Sequence, residues 1–250
     1  RHEGRLEQWR IGRLDYVAEL SGRLPESLET VVASFSASLP LKIVRLPQNV
    51  GLGRALNTGL QACAHEWVCR MDTDDICHPE RFARQLAFVV VHSELDVCGS
   101  QIDEFEHTPA DAAHSRRVPC EHEEITHFAK SRNPINHMTV CYRKSAVLAA
   151  GNYQHAPLYE DYDLWVRMLL NGCRFANLPE VLVYARAGDE MYRRRGGWAY
   201  AKNELAMQQR FYHTGFLSTA QWAKNVLLRL PVRLLPNGAR QWVYRVLLRK

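Results

Sequence analysis

Three carboxylates fall within four positions in Arg70-Met71-Asp72-Thr73-Asp74-Asp75. Like charges this close repel one another, so something must offset the cost. A divalent cation does so, being a hard ion that takes oxygen ligands. A solvated acidic turn at a helix entry is the plainer alternative. A second group is Tyr159-Glu160-Asp161-Tyr162-Asp163-Leu164-Trp165, where acidic residues open a helix whose later turns are apolar. Carboxylates favour a helix N-terminus through the macrodipole. The same placement suits a general base that takes a proton from a hydroxyl nucleophile. A third group runs from Gln48 to Gly59 (QNVGLGRALNTG). Gly51 and Gly53 let backbone come close to a ligand at a helix start, and Arg54 adds a cation for a phosphate or nucleotide. An ordinary loop-to-helix entry would look the same.

The elements that must position these groups alternate. Leu24 to Phe35 has helical spacing of Leu28, Val31, Val32 and Phe35 behind Pro25. Leu41 to Leu46 predicts a strand, and Gly51 to Ala64 a helix. Glu66 to Met71 is a strand running straight into the acidic cluster, followed by a helix over Pro79 to His92. Strands are expected at Asp96 to Ile102, Met138 to Arg143 and Val181 to Arg186. Between the last two, Asp161 to Leu170 predicts an amphipathic helix closed by Asn171-Gly172. This order implies an α/β fold with a mixed, mostly parallel sheet flanked by helices. In such sheets ligands bind beyond the carboxyl ends of strands, where the Asp72 cluster is expected.

The 250 residues are 46% hydrophobic and 24% charged, which excludes disordered, collagen-like and coiled-coil chains. No apolar run approaches the roughly 18–20 residues of a membrane span, and the charged first 23 residues do not read as a signal peptide. The seven cysteines form no CxxC pair, which argues for a reducing, cytoplasmic compartment and against a disulfide framework. Residues 181–250 hold 13 Lys/Arg and three Asp/Glu, whereas the rest of the chain holds 19 and 24. The basic excess has no recognisable nucleic-acid motif, so no nucleic-acid partner is expected. From Gln221 onward, Trp222, Val226, Leu227 and Leu230, then Trp242, Val243, Val246 and Leu247, recur at helical spacing among basic residues. Such a stretch suits either an anionic membrane surface or a helical pair packed on the main domain.

Five segments in order resemble the family 2 glycosyltransferases of the GT-A fold, of the bacterial surface-polysaccharide type. They are QNVGLGRALNTGL, VCRMDTDD, HPERFARQ, NPINHMTVCYRKSAVLAAGNY and LYEDYDLWVRMLLNGC, with YRRRGG a looser addition. The similarity runs from about Leu24 to about Phe216, so residues 24–216 are expected to form the transferase domain and 217–250 a basic helical tail.

The resemblance implies an activity and a set of residues. Asp72 and Asp74 match the DxD pair that holds Mg²⁺ or Mn²⁺, and through it the diphosphate of a sugar nucleotide, a UDP-sugar foremost. Asp161 matches the catalytic base, with Glu160 before it. Asn49, Gly51, Arg54 and Asn57 match a segment near the nucleotide, and Arg193, Arg194 and Arg195 a basic loop near the diphosphate. Asn136, His137 and Trp165 match the acceptor side. The acceptor implied is a glycan or a polyprenyl-linked sugar, which places the enzyme in the cytoplasm at the inner membrane face.

One base and one metal-held leaving group imply single displacement with inversion; the sequence offers no protein nucleophile for a double displacement. Residues 1–23 depart from the family pattern. The first apolar strand is missing, and the second should lie near Asp15 to Arg23, with Ser21-Gly22 where Asp-Gly is usual. A frame-shifted or truncated start, and with it an impaired remnant of the fold, is the competing expectation. A nucleotidyltransferase of related fold is a further one.

Overall fold

The computed structural model describes residues 16–21, 25–36, 39–112, 114–187 and 196–235. The chain divides into two compact units, Arg1–Glu66 and Trp67–Lys250.

In the first unit, β1 (Tyr16–Ser21) and β2 (Leu41–Leu46) pair in parallel, from Tyr16 opposite Leu41 to Ser21 opposite Leu46. Parallel neighbours need a crossover, which α1 (Glu26–Ser36) supplies. Strand β1 occupies the stretch where the family's second strand is expected. Helix α2 (Leu52–Ala62) starts behind Gly51, whose φ of 84° suits a residue without Cβ. It buries Gly53, Ala55, Gly59 and Leu60.

The second unit is built on a sheet of six described strands. These are β3 (Trp67–Cys69), β4 (Ile76–Cys77), β5 (Val97–Phe105), β6 (His114–Arg116), β7 (Cys141–Arg143) and β8 (Phe175–Arg186), in the order β3-β7-β5-β8-β4 with β6 on β5. The class is α/β with a mixed sheet, as expected, but the parallel share is smaller. Among the described pairings of this unit, β5 with β8 is parallel and the other four are antiparallel. Strands β3, β4, β6 and β7 are two or three residues long and pair antiparallel with their neighbours.

Helix α3 (Arg81–Val91) follows β4. Its Arg81 and Gln85 are wholly buried. The Arg81 guanidinium donates to the carbonyl of Arg70 (2.7 Å) and to Gln85 Oε1 (3.0 Å). The Gln85 amide donates in turn to the carbonyls of Cys98 and Thr139. The HPERFARQ segment is therefore scaffolding: it fixes the backbone from which the acidic cluster departs.

After α4 (His122–Phe128) the chain makes a tight 3₁₀ turn over His137–Thr139 before β7. The expected strand from Met138 is shorter for this reason. Both the amide and the hydroxyl of Thr139 donate to the carbonyl of Asn136 at 2.8 Å, and such local bonds compete with a sheet ladder. Helix α5 (Lys144–Ala149) leads on to α6 (Glu160–Leu170). Helix α6 ends as the sequence predicts: Gly172 takes φ 79°, and the amide of Cys173 reaches back to the carbonyl of Met168.

Helices α7 (Trp198–His213) and α8 (Thr219–Leu234) close the unit. Tyr162 and Val166 of α6 pack with Met207, Phe211, Phe216 and Leu217. Trp222 of α8 joins that core, so this part of the basic stretch packs inward, whereas Leu227 and Leu228 stay exposed. Trp242, Val243, Val246 and Leu247 lie outside the described residues.

Candidate active site

The strand β3 hands the chain directly to the acidic cluster. The amide of Arg70 still bonds to the carbonyl of Val140 (2.9 Å), and the amide of Asp75 closes a turn on the carbonyl of Asp72 (3.3 Å). The Arg70 side chain, 9% exposed, grips both oxygens of Asp72, with Nη1 2.8 Å from Oδ2. Asp74 is exposed. Asp75 is anchored from β8, where the amide of Arg186 donates to its Oδ1 (2.8 Å). Its Oδ2 is buried with no hydrogen-bond partner. Burial pushes the Asp75 carboxyl up to about 6; Asp72 and Asp74 add to this, and the Arg186 amide and Arg70 oppose it.

The donor set is all carboxylate oxygen, which suits a hard divalent cation. Among the described residues no three His, Cys, Asp or Glu side chains converge to hold a metal unaided. Mg²⁺ characteristically takes one or two carboxylates and completes its shell with water and substrate phosphate. Exposed Asp74 and half-buried Asp72, with the unsatisfied Asp75 oxygen next in sequence, fit that mode.

The second acidic group opens α6. Its three carboxylates part ways. Asp163, 1% exposed, is structural: Arg167 Nε (2.9 Å) and Arg210 Nε (2.8 Å) close on it. Asp161 keeps 17% of its side chain exposed. Its Oδ2 accepts from Asn133 Nδ2 at 2.6 Å and its Oδ1 from the amide of Tyr162 at 2.7 Å. Burial raises the Asp161 carboxyl above the ordinary range, against the Asn133 and Tyr162 bonds and the charges of Arg70 and Arg116. Burial also raises Glu160.

His137 lies beside Asp161, with Nδ1 3.9 Å from Oδ2 and Nε2 3.0 Å from the hydroxyl of Tyr153. Burial, reinforced by Arg70, holds His137 well below its usual range, so it is neutral. Arg70 is the charge the two acidic groups share. It grips Asp72 and exerts its field on Asp75, Glu160, Asp161 and His137.

The remaining expected site residues are distributed as follows. Asn136 is wholly buried, donating from its amide to the carbonyl of Ser100 (2.8 Å). Trp165 is wholly buried too, edge-on to His137 and Phe175. Neither side chain is exposed to an acceptor; Trp165 packs against His137, which does lie beside Asp161. Asn49, Gly51, Arg54 and Asn57 belong to the first unit. There Asn49 Oδ1 accepts from the amide of Gly51, Arg54 is exposed at the start of α2, and Asn57 accepts from Gln61. Arg193, Arg194 and Arg195 lie outside the described residues. Sequence reasoning did not single out Arg70, Arg116, Asn133 or Tyr153. Arg70, Asn133 and Tyr153 stand inside the quoted motifs, but only the fold shows which side chain each one faces.

The profile described as Glycosyl transferase family 2 matches residues 22–151, more than half of the chain. A Haemophilus influenzae protein named only as an uncharacterized glycosyltransferase is 44% identical over 94% of this chain and 88% of its own length. The chain therefore belongs to glycosyl transferase family 2, and it is a glycosyltransferase. It is also 40% identical to the amylovoran biosynthesis glycosyltransferase AmsE of Erwinia amylovora, over 96% of this chain and 89% of that one. An Escherichia coli relative, UDP-Gal:alpha-D-GlcNAc-diphosphoundecaprenol beta-1,3-galactosyltransferase, is 37% identical over 92% of this chain and 83% of its own.

Among solved structures, Staphylococcus aureus TarS with UDP-GlcNAc superposes with a TM-score of 0.59 at 18% identity. That match covers 86% of this chain and 61% of TarS, so the chain spans less than two thirds of that longer protein. The mannosyltransferase PcManGT of Pyrobaculum calidifontis, with GDP-Man and Mn²⁺, gives 0.58 at 14% identity, over 94% and 66%. These likenesses establish the GT-A fold.

Proposed function

We propose that this glycosyltransferase is inverting and divalent-cation-dependent, and moves a sugar from a UDP-sugar to a polyprenyl-diphosphate-linked glycan during surface-polysaccharide assembly. Asp161 is the base, and Asp72 and Asp74 are the residues that would hold Mg²⁺ or Mn²⁺. Donor and acceptor classes follow the Escherichia coli relative's name. The observation that carries the reading is Asp161 itself. It is a partly exposed carboxylate at a helix N-terminus, bonded on both oxygens and made more basic by burial. Basicity raised toward neutrality favours proton abstraction.

In this mechanism the acceptor hydroxyl gives its proton to Asp161 as its oxygen attacks the anomeric carbon. The leaving group is a nucleoside diphosphate, and a bound divalent cation supplies the charge neutralisation that lets it depart. Arg70 holds Asp72 in place and helps keep Asp161 ionised. Neutral His137 occupies the space beside the base without competing for the proton. The exposed leucines of α8 and the basic residues beyond them suit contact with an anionic membrane surface, where such acceptors reside.

The test is transfer from a panel of UDP-sugars, UDP-galactose first, to a synthetic GlcNAc-diphospho-lipid in the presence of Mn²⁺. UDP release, a product of anomeric configuration opposite to the donor's, and loss of both with EDTA are expected. Retained configuration, or full turnover in EDTA, would overturn the proposal.

A further inference from the structure

We propose that Asn133 is the positioning residue that sets the orientation and the proton affinity of Asp161. The inference rests on Asp161 being the base.

Asn133 lies in the loop between α4 and the 3₁₀ turn at His137, immediately before Pro134. Its side-chain amide is oriented from both ends. Oδ1 accepts from the amide of Ile135 (3.3 Å), which turns Nδ2 toward Asp161, 2.6 Å from Oδ2. Its main chain is held as well, since Arg116 on β6 donates to the Asn133 carbonyl (2.9 Å). One residue on, the Pro134 carbonyl accepts from Asn177 of β8 (3.1 Å), whose amide also donates to the carbonyl of Pro119 (2.6 Å). Asn177 fits there because Gly99 of β5 has no Cβ, which would run into Asn177 Oδ1. Three strands thus fix one amide.

Asp161 has one other described hydrogen bond, from the amide of Tyr162 on its own helix. That bond alone leaves rotation of the carboxylate open, and Asn133 closes it. The charged groups around Asp161 are Arg70 beyond β3, Arg116 on β6 and Glu160 on its own helix; neutral His137, and Tyr153 and Tyr162, whose hydroxyls burial keeps protonated, lie around it as well. Burial favours the protonated acid, and Asn133 is the direct side-chain donor that favours the carboxylate. A hydrogen bond to the charged form lowers a carboxyl pKa, so removing it hands the balance to burial.

The experiment reads Asp161 directly. Full-length protein carrying ¹³C at the aspartate carboxyls is titrated by NMR, and the Asp161 signal is assigned by its loss in Asp161→Asn. In Asn133→Leu, which keeps bulk and removes the donor, the Asp161 titration should move up by about one pH unit or more. In Asn133→Asp, which keeps shape and turns the donor into an acceptor, two facing carboxyls share a proton and the upper step should move further. The second variant carries the test if the first does not fold. An Asp161 titration unchanged from wild type in both variants overturns the proposal. A purely packing role for Asn133 predicts that unchanged result, with lower stability alone. Turnover separates this from the reading beneath it. If Asp161→Asn keeps wild-type transfer, the base assignment fails, whatever the titration shows. If Asp161→Asn is inactive and the acid limb of kcat follows the titration in the Asn133 variants, both stand.

Discussion

The hydroxyl of Tyr159, the residue that caps α6, donates to Glu204 Oε2 of α7 at 2.6 Å. Glu204 is wholly buried, and Arg229 Nε (2.6 Å) and Arg233 Nη2 (2.8 Å) of α8 close on its two oxygens. One carboxylate therefore ties the start of the helix that carries Asp161 to both C-terminal helices. Nothing in the sequence around Glu204 marks it.

Glu204→Gln should destabilise the fold by about 3–5 kcal/mol, the usual cost of leaving buried charges without their partner. The same group predicts a pH dependence. Burial would raise Glu204, but the Arg229 and Arg233 charges outweigh it and hold the carboxyl at about 2. A carboxyl depressed in the folded state contributes stability that is full above its unfolded value. That contribution is lost as pH falls from about 4.5 toward 2. Thermal melts should show a steeper loss over that range in wild type than in Glu204→Gln; parallel curves would refute the role.

Asp161→Asn keeps the shape and removes the proton acceptor. Transfer should fall by about 10²–10⁴-fold, the usual worth of general-base catalysis, with UDP binding retained. Glu160→Gln should be milder, because neighbours at a helix start point in different directions. Loss of transfer in Glu160→Gln with Asp161→Asn near wild type would move the base by one residue.

Asp74→Ala removes an exposed carboxylate of the proposed cation pair. Calorimetric titration with UDP should show Mn²⁺-dependent affinity lost in this variant and any metal-independent component kept. Unchanged Mn²⁺ dependence would exclude Asp74 as a ligand.

Gly99→Ala tests the support of the Asn133 loop. The added Cβ displaces Asn177 from its bonds to Pro119 and Pro134, so stability should drop by about 1–3 kcal/mol, as overpacking does. Denaturant unfolding measures this; a neutral substitution would show that the loop does not depend on Asn177.

Binding to anionic vesicles should be released by salt, because exposed charges are screened. Removing residues 217–250 cuts into the core through Trp222, so the informative truncation ends after residue 235. Equal pelleting of that shorter chain and the full one would exclude a role for the distal basic residues.

Local pattern carried most of the elements. The apolar spacing of Asp161 to Leu170 and the Asn171-Gly172 stop define α6 almost to the residue, because helix ends depend on neighbours in sequence. The strand Leu41–Leu46 was legible from its short run with β-branched Ile43 and Val44. The motifs also carried the family and the two acidic groups, since carboxylate clusters are costly and stand out. Tertiary structure decided what each carboxylate does. Asp161 and Asp163 sit two residues apart on one helix, yet one faces Asn133 and stays partly exposed while the other is sealed between Arg167 and Arg210. Trp165 and Asn136 went into the core, and the sheet proved less parallel than the alternation of elements implied. Burial, and the partners that only distant segments such as Arg70, Arg116 and Asn133 provide, set a side chain's charge and reach; no window of sequence contains them together.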